Sequence, residues 1–235
     1  MIQSLRKTAK KLVLTLSGKV SHLKTGVETK HEWYGNTYGG FFVNPNRLNE
    51  NSIVYSVGIG EDISFDQAII NKHKCQVFGF DPTPKSINWV KNQQLPNQFT
   101  FYEFGISDKT GNVDFYLPKN PAYVSGSISL QKNVNENEKV NVQMKTIADA
   151  AKQLGHAHID VLKMDIEGAE YDVVTSLLSS GISFGQLLIE FHDRFFADGA
   201  AKTKNAIQVL KQHGFEIFAI SDSFEEVSFI NTNLQ

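Results

Sequence analysis

Cysteine is nearly absent from this 235-residue chain, which contains only Cys75. A single thiol can form no intrachain disulfide, and it cannot supply a cysteine-rich zinc site. Long hydrophobic runs are also missing, since the longest uncharged apolar stretches, such as residues 184–189, have the length of a strand and not of a membrane span. These absences lead us to expect a reducing, cytoplasmic location.

An excess of charge of one sign is missing as well. The 23 Lys and Arg residues nearly balance the 25 Asp and Glu residues, and the formal net charge is -2. Because a near-neutral chain has no overall field that attracts a polyanion, we do not expect it to bind nucleic acid. Hydrophobic residues make up 41% of the sequence, which suits one sizeable globular domain.

The first 24 residues differ from the rest because they are basic and contain no acid. Apolar residues recur there at three- and four-residue spacing, which predicts an amphipathic helix with a basic face. We assign residues 1–36 to this helix and a linker, and residues 37–235 to the main domain. The helix either packs on the domain or on a second copy of the chain, or rests on anionic lipid as a peripheral membrane contact.

From residue 50 onward, short β-rich runs alternate with helical patterns, which is typical of βαβ units. The predicted strands are residues 52–57, 76–80, 99–104, 159–164, 186–191, 215–220 and 227–230. A first helix is predicted to begin at Ser64 with a capping box. Four more helices are predicted at residues 86–92, 146–154, 170–179 and 202–213. The pattern of residues 111–144 predicts antiparallel strands outside the main sheet instead of a crossover helix. The expected fold is α/β, with a doubly wound, mostly parallel seven-stranded sheet and a C-terminal antiparallel hairpin.

A glycine turn, Gly58-Ile59-Gly60, follows the first predicted strand. Such a turn is either a tight structural turn or a place where the backbone approaches a nucleotide-like cofactor. A dinucleotide-binding turn would have a third glycine where this chain has Ile63, and Glu61 and Asp62 would repel a pyrophosphate. The loop therefore favours S-adenosylmethionine, which carries an ammonium and a sulfonium, over NAD.

Two further strand ends carry candidate cofactor residues. Asp81 lies 23 residues beyond Gly58, close to the roughly 20 expected of an acid that binds ribose hydroxyls. Its alternative role is a turn or helix cap, because Asp-Pro is a common turn dipeptide. Ser107 and Asp108 follow the third predicted strand, where they could line an adenine or form a plain turn.

The densest set of charged residues, KMDIEGAE at residues 163–170, follows the fourth predicted strand. Strand alternation places Lys163 and Asp165 on one face, where they form either an ion pair or part of a site. Glu190 and His192 stand at the end of the fifth strand. Because adjacent parallel strands end at one edge of a sheet, these four residues are the predicted catalytic corner.

Five runs occur in order between residues 37 and 230: VYSVGIGEDISFD, VFGFDPTP, GISD, IDVLKMDIEGAEYDVV and LLIEFH. Together they resemble FkbM-type methyltransferases, within the class I S-adenosylmethionine-dependent superfamily with its Rossmann-like fold. The resemblance implies transfer of a methyl group to a hydroxyl oxygen of a sugar, glycan or related small metabolite. It also implies three groups of cofactor contacts: Gly58, Gly60 and Glu61 at the methionine moiety, Asp81 at the ribose, and Ser107 and Asp108 at the adenine.

Two ways to activate the acceptor hydroxyl follow from the predicted corner. His192, Glu190 or Asp165 could take its proton, or Asp165 and Glu190 could hold a divalent metal such as Mg²⁺ that polarises it. The acceptor is expected under residues 118–133, which equally suit a solvated surface loop. The residues there that offer hydrogen bonds or an aromatic face are Pro118, Asn120, Tyr123, Ser125 and Ser127. Two other functions stay open as alternatives to a methyltransferase: a nicotinamide-dependent oxidoreductase and a non-catalytic module that binds a cofactor or a membrane.

Overall fold

The computed structural model describes residues 20–120, 126 and 134–234. Most of the predicted basic N-terminal helix, residues 1–19, lies outside the described residues, so its contact with a membrane or a second subunit stays a prediction. In the described ranges, no helix combines the length and the apolar character that crossing a membrane requires.

Twelve strands and five helices are described, together with two short 3-10 turns at Pro45–Arg47 and Asp193–Phe195. The strands are β1 Glu32–Tyr34, β2 Phe41–Val43, β3 Ile53–Val57, β4 Gln76–Phe80, β5 Phe99–Tyr102, β6 Gly105–Ile106, β7 Gly111–Pro118, β8 Val134–Lys145, β9 His158–Met164, β10 Ser183–Glu190, β11 Phe215–Ile220 and β12 Glu226–Asn231. The helices are α1 Ser64–His73, α2 Pro84–Lys91, α3 Ile147–Leu154, α4 Glu170–Leu178 and α5 Gly199–Gln212.

The main sheet has seven strands in the order β11-β12-β10-β9-β3-β4-β5. The ladders from β10 through β5 are parallel, and β12 pairs antiparallel with both β10 and β11. The predicted α/β fold with a C-terminal antiparallel hairpin is therefore confirmed. The strands that matter for the site, β4, β3, β9 and β10, are consecutive neighbours, so their carboxyl ends lie side by side.

Apolar residues on both faces hold the helices against this sheet. Successive residues of a strand point to opposite faces, so Val54 and Val161 join one buried cluster while Tyr55 and Leu162 join the other. Residues 161–164 of β9 are all buried, as expected of a strand that is covered on both sides, although this run includes Lys163. Burial of each such large side chain contributes roughly 1.5–3 kcal/mol.

The predicted third strand is shorter than expected. The chain leaves the main sheet after Tyr102, and β6 instead pairs parallel with β8. A separate three-stranded sheet, in the order β6-β8-β7, results. The predicted antiparallel strands outside the main sheet form the β7–β8 ladder of this sheet.

The start of α1 is as predicted, but its cap is different. No capping box forms at Ser64. Instead Asp62 accepts hydrogen bonds from the Ser64 backbone N–H at 2.8 Å and from the Ser64 hydroxyl at 3.0 Å. The Asp62 carboxylate therefore joins the glycine turn to the helix that follows it, as a side-chain cap of the helix N-terminus does.

A short ladder of β1 and β2 lies beside the main sheet. The domain boundary predicted between residues 36 and 37 falls between these two strands. Gln186 of β10 docks the ladder, because its amide accepts from the Asn44 backbone N–H at 2.8 Å and donates to the Asn44 carbonyl at 3.1 Å. Both residues are buried, so no water replaces these bonds easily.

Replacing Gln186 with Met tests this docking. The substitution keeps the side-chain volume but leaves the buried N–H and C=O of Asn44 without partners, so we expect a loss of about 2–4 kcal/mol in the free energy of unfolding, measured by urea denaturation. Gln208→Met, on the exposed side of α5, serves as the control and should change stability by less than about 0.5 kcal/mol. Equal effects of the two substitutions would contradict the prediction.

Candidate active site

A cavity of about 500 Å³ opens at the carboxyl ends of β3, β4 and β9. It brings together residues that are far apart in the sequence. From the predicted cofactor and catalytic sets, its walls contain Gly58, Gly60, Glu61, Asp81, Lys163 and Asp165. Tyr38 lines it from the β1–β2 loop, Phe115 and Met144 line it from the second sheet, and Gly126 lines it from the segment between β7 and β8. The cavity is therefore a space between two separate sheets.

Gly58 makes the tightest contact of the turn. Its φ is +80°, and a Cβ built on it would lie 1.7 Å from the backbone oxygen of Asp165. No side chain fits there, so glycine is required both by the backbone conformation and by the space. Gly60 has φ +57°, and a Cβ there would meet nothing within 4 Å. The turn therefore packs against the backbone at the end of β9 through Gly58 and leaves open space beside Gly60.

Asp81 is the anchor of this turn. Its Oδ2 accepts from the backbone N–H groups of Ile59 at 3.0 Å and Gly60 at 2.9 Å, and its Oδ1 accepts from the N–H and hydroxyl of Thr83 at 2.9 and 2.7 Å. A carboxylate has about four acceptor positions, and here all four are filled by the protein. Burial raises the pKa of Asp81, and the bonds from Gly60 and Thr83 oppose this rise.

The other predicted cofactor residues fall into two groups. Glu61 lines the cavity, and its carboxylate lies 3.4 Å from the ammonium of Lys85. Ser107 and Asp108 are not among the lining residues, for Ser107 is buried and donates to the carbonyl of Lys109 at 2.9 Å. The lining residues from their segment are Gly105 and Ile106. A role for Ser107 and Asp108 at an adenine stays a prediction.

The predicted catalytic corner is assembled where β9 and β10 end. Ile189 pairs with Met164, so Glu190 and Asp165 follow as neighbours. His192 is 1% exposed, and its Nε2 faces three carboxylate oxygens: Oε1 of Glu190 at 3.4 Å, Oε2 of Glu167 at 3.5 Å and Oδ1 of Asp165 at 3.6 Å. Of the four residues predicted for this corner, three come together here.

Glu167 and Glu170 complete the cluster, although neither was predicted as a site residue. Glu170 is fully buried at the start of α4, where it accepts from the backbone N–H groups of Gly168 at 2.8 Å and His192 at 2.7 Å. Glu167 has a positive φ of 52°, which is unusual for a residue other than glycine and is often found at functional sites. We call Asp165, Glu167, Glu170, Glu190 and His192 the acidic corner.

The charges of the acidic corner affect each other. Burial alone would lower the pKa of His192, but the Glu170 carboxylate and the charges of Asp165 and Glu190 outweigh it and raise the pKa to about 9. Burial and then the charge of Asp165 raise the pKa of Glu190. These shifts mean that the corner favours a positive charge among its carboxylates.

Lys163 has a different place from the one predicted. Its side chain is 5% exposed, its ammonium donates to the carbonyl of Gly58 at 3.0 Å, and it lies over the ring of Phe41 at 5.7 Å. Lys163 therefore stabilises the glycine turn through this hydrogen bond to Gly58. The charge that balances it is Asp66 of α1, because Lys163 lowers the pKa of this buried carboxyl.

Burial nevertheless dominates at Asp66 and raises its pKa from 3.8 to about 6. A carboxyl whose pKa is raised by folding stabilises the fold below its unfolded pKa, and this stability is lost as the pH rises through 6. We expect wild type to lose up to about 3 kcal/mol relative to Asp66→Asn between pH 4 and pH 7.5, measured by urea unfolding. Asp172→Asn, an exposed acid on α4, should track wild type, and parallel curves for Asp66→Asn would contradict the assignment.

The cavity residues fit a cofactor, and the acidic corner fits a metal ion. Asp165, Glu190 and His192 each offer one ligand atom, and these atoms lie within 4.8 Å of one another. The metal set predicted from the sequence, Asp165 and Glu190, is thus joined by an imidazole. On the acceptor side, predicted residues Tyr123, Ser125 and Ser127 lie outside the described residues.

Comparison with known proteins identifies a family and several relatives of this chain. A family model described as "Methyltransferase FkbM domain" matches residues 26–217. The 2-O-methyltransferase NoeI of Sinorhizobium fredii is 24% identical over 180 residues, which cover 71% of this chain and 73% of NoeI. The human probable methyltransferase-like protein 24 is 25% identical over 146 residues, which cover 61% of this chain and 33% of the human protein.

A solved structure shows the same fold. The crystal structure of methyltransferase FkbM from Methylobacillus flagellatus aligns with a TM-score of 0.50 at 12% identity, over 78% of this chain and 44% of that chain. This confirms the Rossmann-like methyltransferase architecture that the sequence predicted. Because the family model matches most of its length, the chain belongs to the FkbM methyltransferase domain family.

Proposed function

We propose that this protein is an S-adenosylmethionine-dependent O-methyltransferase whose acceptor is a hydroxyl group of a sugar, glycan or related small metabolite. The observation that carries the proposal is a shared cavity: the glycine turn and two residues of the acidic corner, Asp165 and Glu167, line the same space, with the backbone of Asp165 in contact with Gly58. Membership of the family and the similarity to a protein named as a 2-O-methyltransferase support it.

The charge of the cavity supports the choice of cofactor. Among the described residues that line it are one base, Lys163, and six acids, which are Glu61, Asp62, Asp66, Asp81, Asp165 and Glu167. Such a wall attracts a ligand that carries a sulfonium and an ammonium, and it repels the diphosphate of a nicotinamide dinucleotide. The oxidoreductase alternative is therefore disfavoured.

The reaction needs little beyond positioning and a place for one proton. The acceptor oxygen attacks the methyl carbon in line, the C–O bond forms as the C–S bond breaks, and S-adenosylhomocysteine leaves with the bonding electron pair on sulfur. Holding the two groups in line supplies much of the acceleration. Asp165 stands at the cavity wall with Glu190 and His192 behind it, so the hydroxyl proton passes to the carboxylates of the acidic corner.

Cofactor binding is tested by calorimetry with S-adenosylmethionine and with NADH. We expect micromolar binding of S-adenosylmethionine and at least tenfold weaker binding by Asp81→Ala, because the turn loses the carboxylate that holds two of its N–H groups. Asp81→Asn, which keeps the volume, checks that the effect is not unfolding, and Asp172→Ala is the exposed control. Tight binding of NADH alone would contradict the proposal.

Tyr38 is expected to form part of the acceptor site. It is 85% exposed yet lines the cavity, an arrangement suited to an aromatic ring that stacks on a polyhydroxylated ligand. With sugar acceptors and mass spectrometry as the readout of methylation, Tyr38→Ala should raise the acceptor KM at least fivefold and leave the Kd of S-adenosylmethionine within twofold. Tyr38→Phe should behave as wild type. An unchanged KM in Tyr38→Ala would remove this residue from the site.

If the protein binds S-adenosylmethionine but transfers a methyl group to none of the hydroxyl acceptors, the result would instead favour a non-catalytic module. The acceptor panel therefore contains mono- and oligosaccharides and small phenols, each with matched compounds that lack the hydroxyl. The proposal is supported only if a hydroxylated compound of the panel gains one methyl group and its matched compound without the hydroxyl does not.

A further inference from the structure

We infer that the acidic corner binds a divalent transition-metal ion through Asp165, Glu190 and His192, with Mg²⁺ bound less well. The three ligand atoms lie within 4.8 Å of one another. The inference deepens the proposed function, since an ion here would lie at the wall of the cavity in which we place the acceptor.

The distances around His192 suit ligands that share one ion, as they also suit ion pairs of a protonated ring. Its Nε2 lies 3.4 Å from Glu190, 3.5 Å from Glu167 and 3.6 Å from Asp165, all beyond the 2.7–3.2 Å of an ordinary N–H···O bond. Donors that share one metal at bond lengths of about 2.1 Å lie roughly 3.0–3.4 Å apart. Because the three ligand atoms lie within 4.8 Å of one another, the carboxylates would move inward to bind one ion.

The imidazole is held in the orientation that a metal ligand needs. The ring is 1% exposed, and its Nδ1 has no hydrogen-bond partner among the described residues but faces the Glu170 carboxylate at 3.4 Å. Metal-bound histidines usually turn their other ring nitrogen toward a carboxylate of this kind, which fixes the tautomer. Glu170 also accepts from the backbone N–H of His192, so ring and backbone share one anchor.

The charge and the position of the corner also suit a cation. Four carboxylates surround one imidazole, and Arg194, which lies 3.6 Å from Glu190, has a side chain that is 42% exposed to solvent. Asp165 and Glu167 line the cavity, so an ion can enter from the solvent. A divalent ion at this wall would polarise the acceptor hydroxyl as a Lewis acid.

The imidazole decides which metal is expected. Carboxylates alone suit Mg²⁺, which was the expectation from Asp165 and Glu190, whereas an imidazole nitrogen favours transition-metal ions such as Fe²⁺ or Zn²⁺. Mn²⁺ accepts both kinds of donor and is a practical probe. We therefore expect Mn²⁺ to bind at least tenfold more tightly than Mg²⁺.

The test titrates MnCl₂ into the full-length, EDTA-treated protein, with the EPR signal of free hydrated Mn²⁺ as the readout and MgCl₂ as competitor. One saturable site is expected. His192→Gln should weaken Mn²⁺ binding at least tenfold and narrow its advantage over Mg²⁺, and Asp165→Asn, at a partly exposed position, should weaken both ions. Asp172→Asn should leave both unchanged.

Absence of a saturable Mn²⁺ site would overturn the inference, as would binding that neither His192→Gln nor Asp165→Asn alters. Equal affinity for the two ions, unaffected by His192→Gln, would overturn the role of the imidazole. Calorimetry with S-adenosylmethionine on the same metal-free samples separates the two proposals, because cofactor binding there supports the proposed function whether or not an ion binds.

Discussion

The contact between Gly58 and the backbone of Asp165 is the constraint on which the site depends. A parallel pair of strands brings the end of β3 to the end of β9, and a missing Cβ lets the turn rest directly on the Asp165 carbonyl. Any side chain at Gly58 would move the turn and the acidic corner apart. The glycine turn and the acidic corner are therefore held together by one contact between two main chains.

Buried charges support this contact from two sides. Asp81 holds the turn by its N–H groups and Lys163 holds it by the carbonyl of Gly58, while Glu170 ties the loop after β9 to His192. Buried charges are costly unless they are paired and hydrogen-bonded. Their concentration around one edge of the sheet fits a protein that keeps a preorganised site at some expense to its stability.

Much of this arrangement could be predicted from the sequence, because strand order and strand ends follow from local patterns. Asp165, Glu190 and His192 were placed together since the ends of neighbouring parallel strands meet. Glu170 was missed because its role depends on how α4 starts, which turns its carboxylate inward. The third strand was predicted to continue to residue 104, whereas the chain leaves the main sheet after Tyr102, and the cofactor role of Ser107 and Asp108 stays a prediction. Three of the four partners of Asp81 are backbone N–H groups, and these bonds give it the turn role that the Asp-Pro dipeptide indicated as the alternative.

The division of the cavity between two separately hydrogen-bonded sheets has an evolutionary consequence. The turn, Asp81 and the acidic corner belong to the seven-stranded sheet, whereas Phe115 and Met144 belong to β7 and β8 of the small one. Sequence changes in the small sheet can reshape one wall without disturbing a ladder of the other. Descendants of such a fold can therefore diversify in the molecules they accept while the chemical machinery is inherited unchanged.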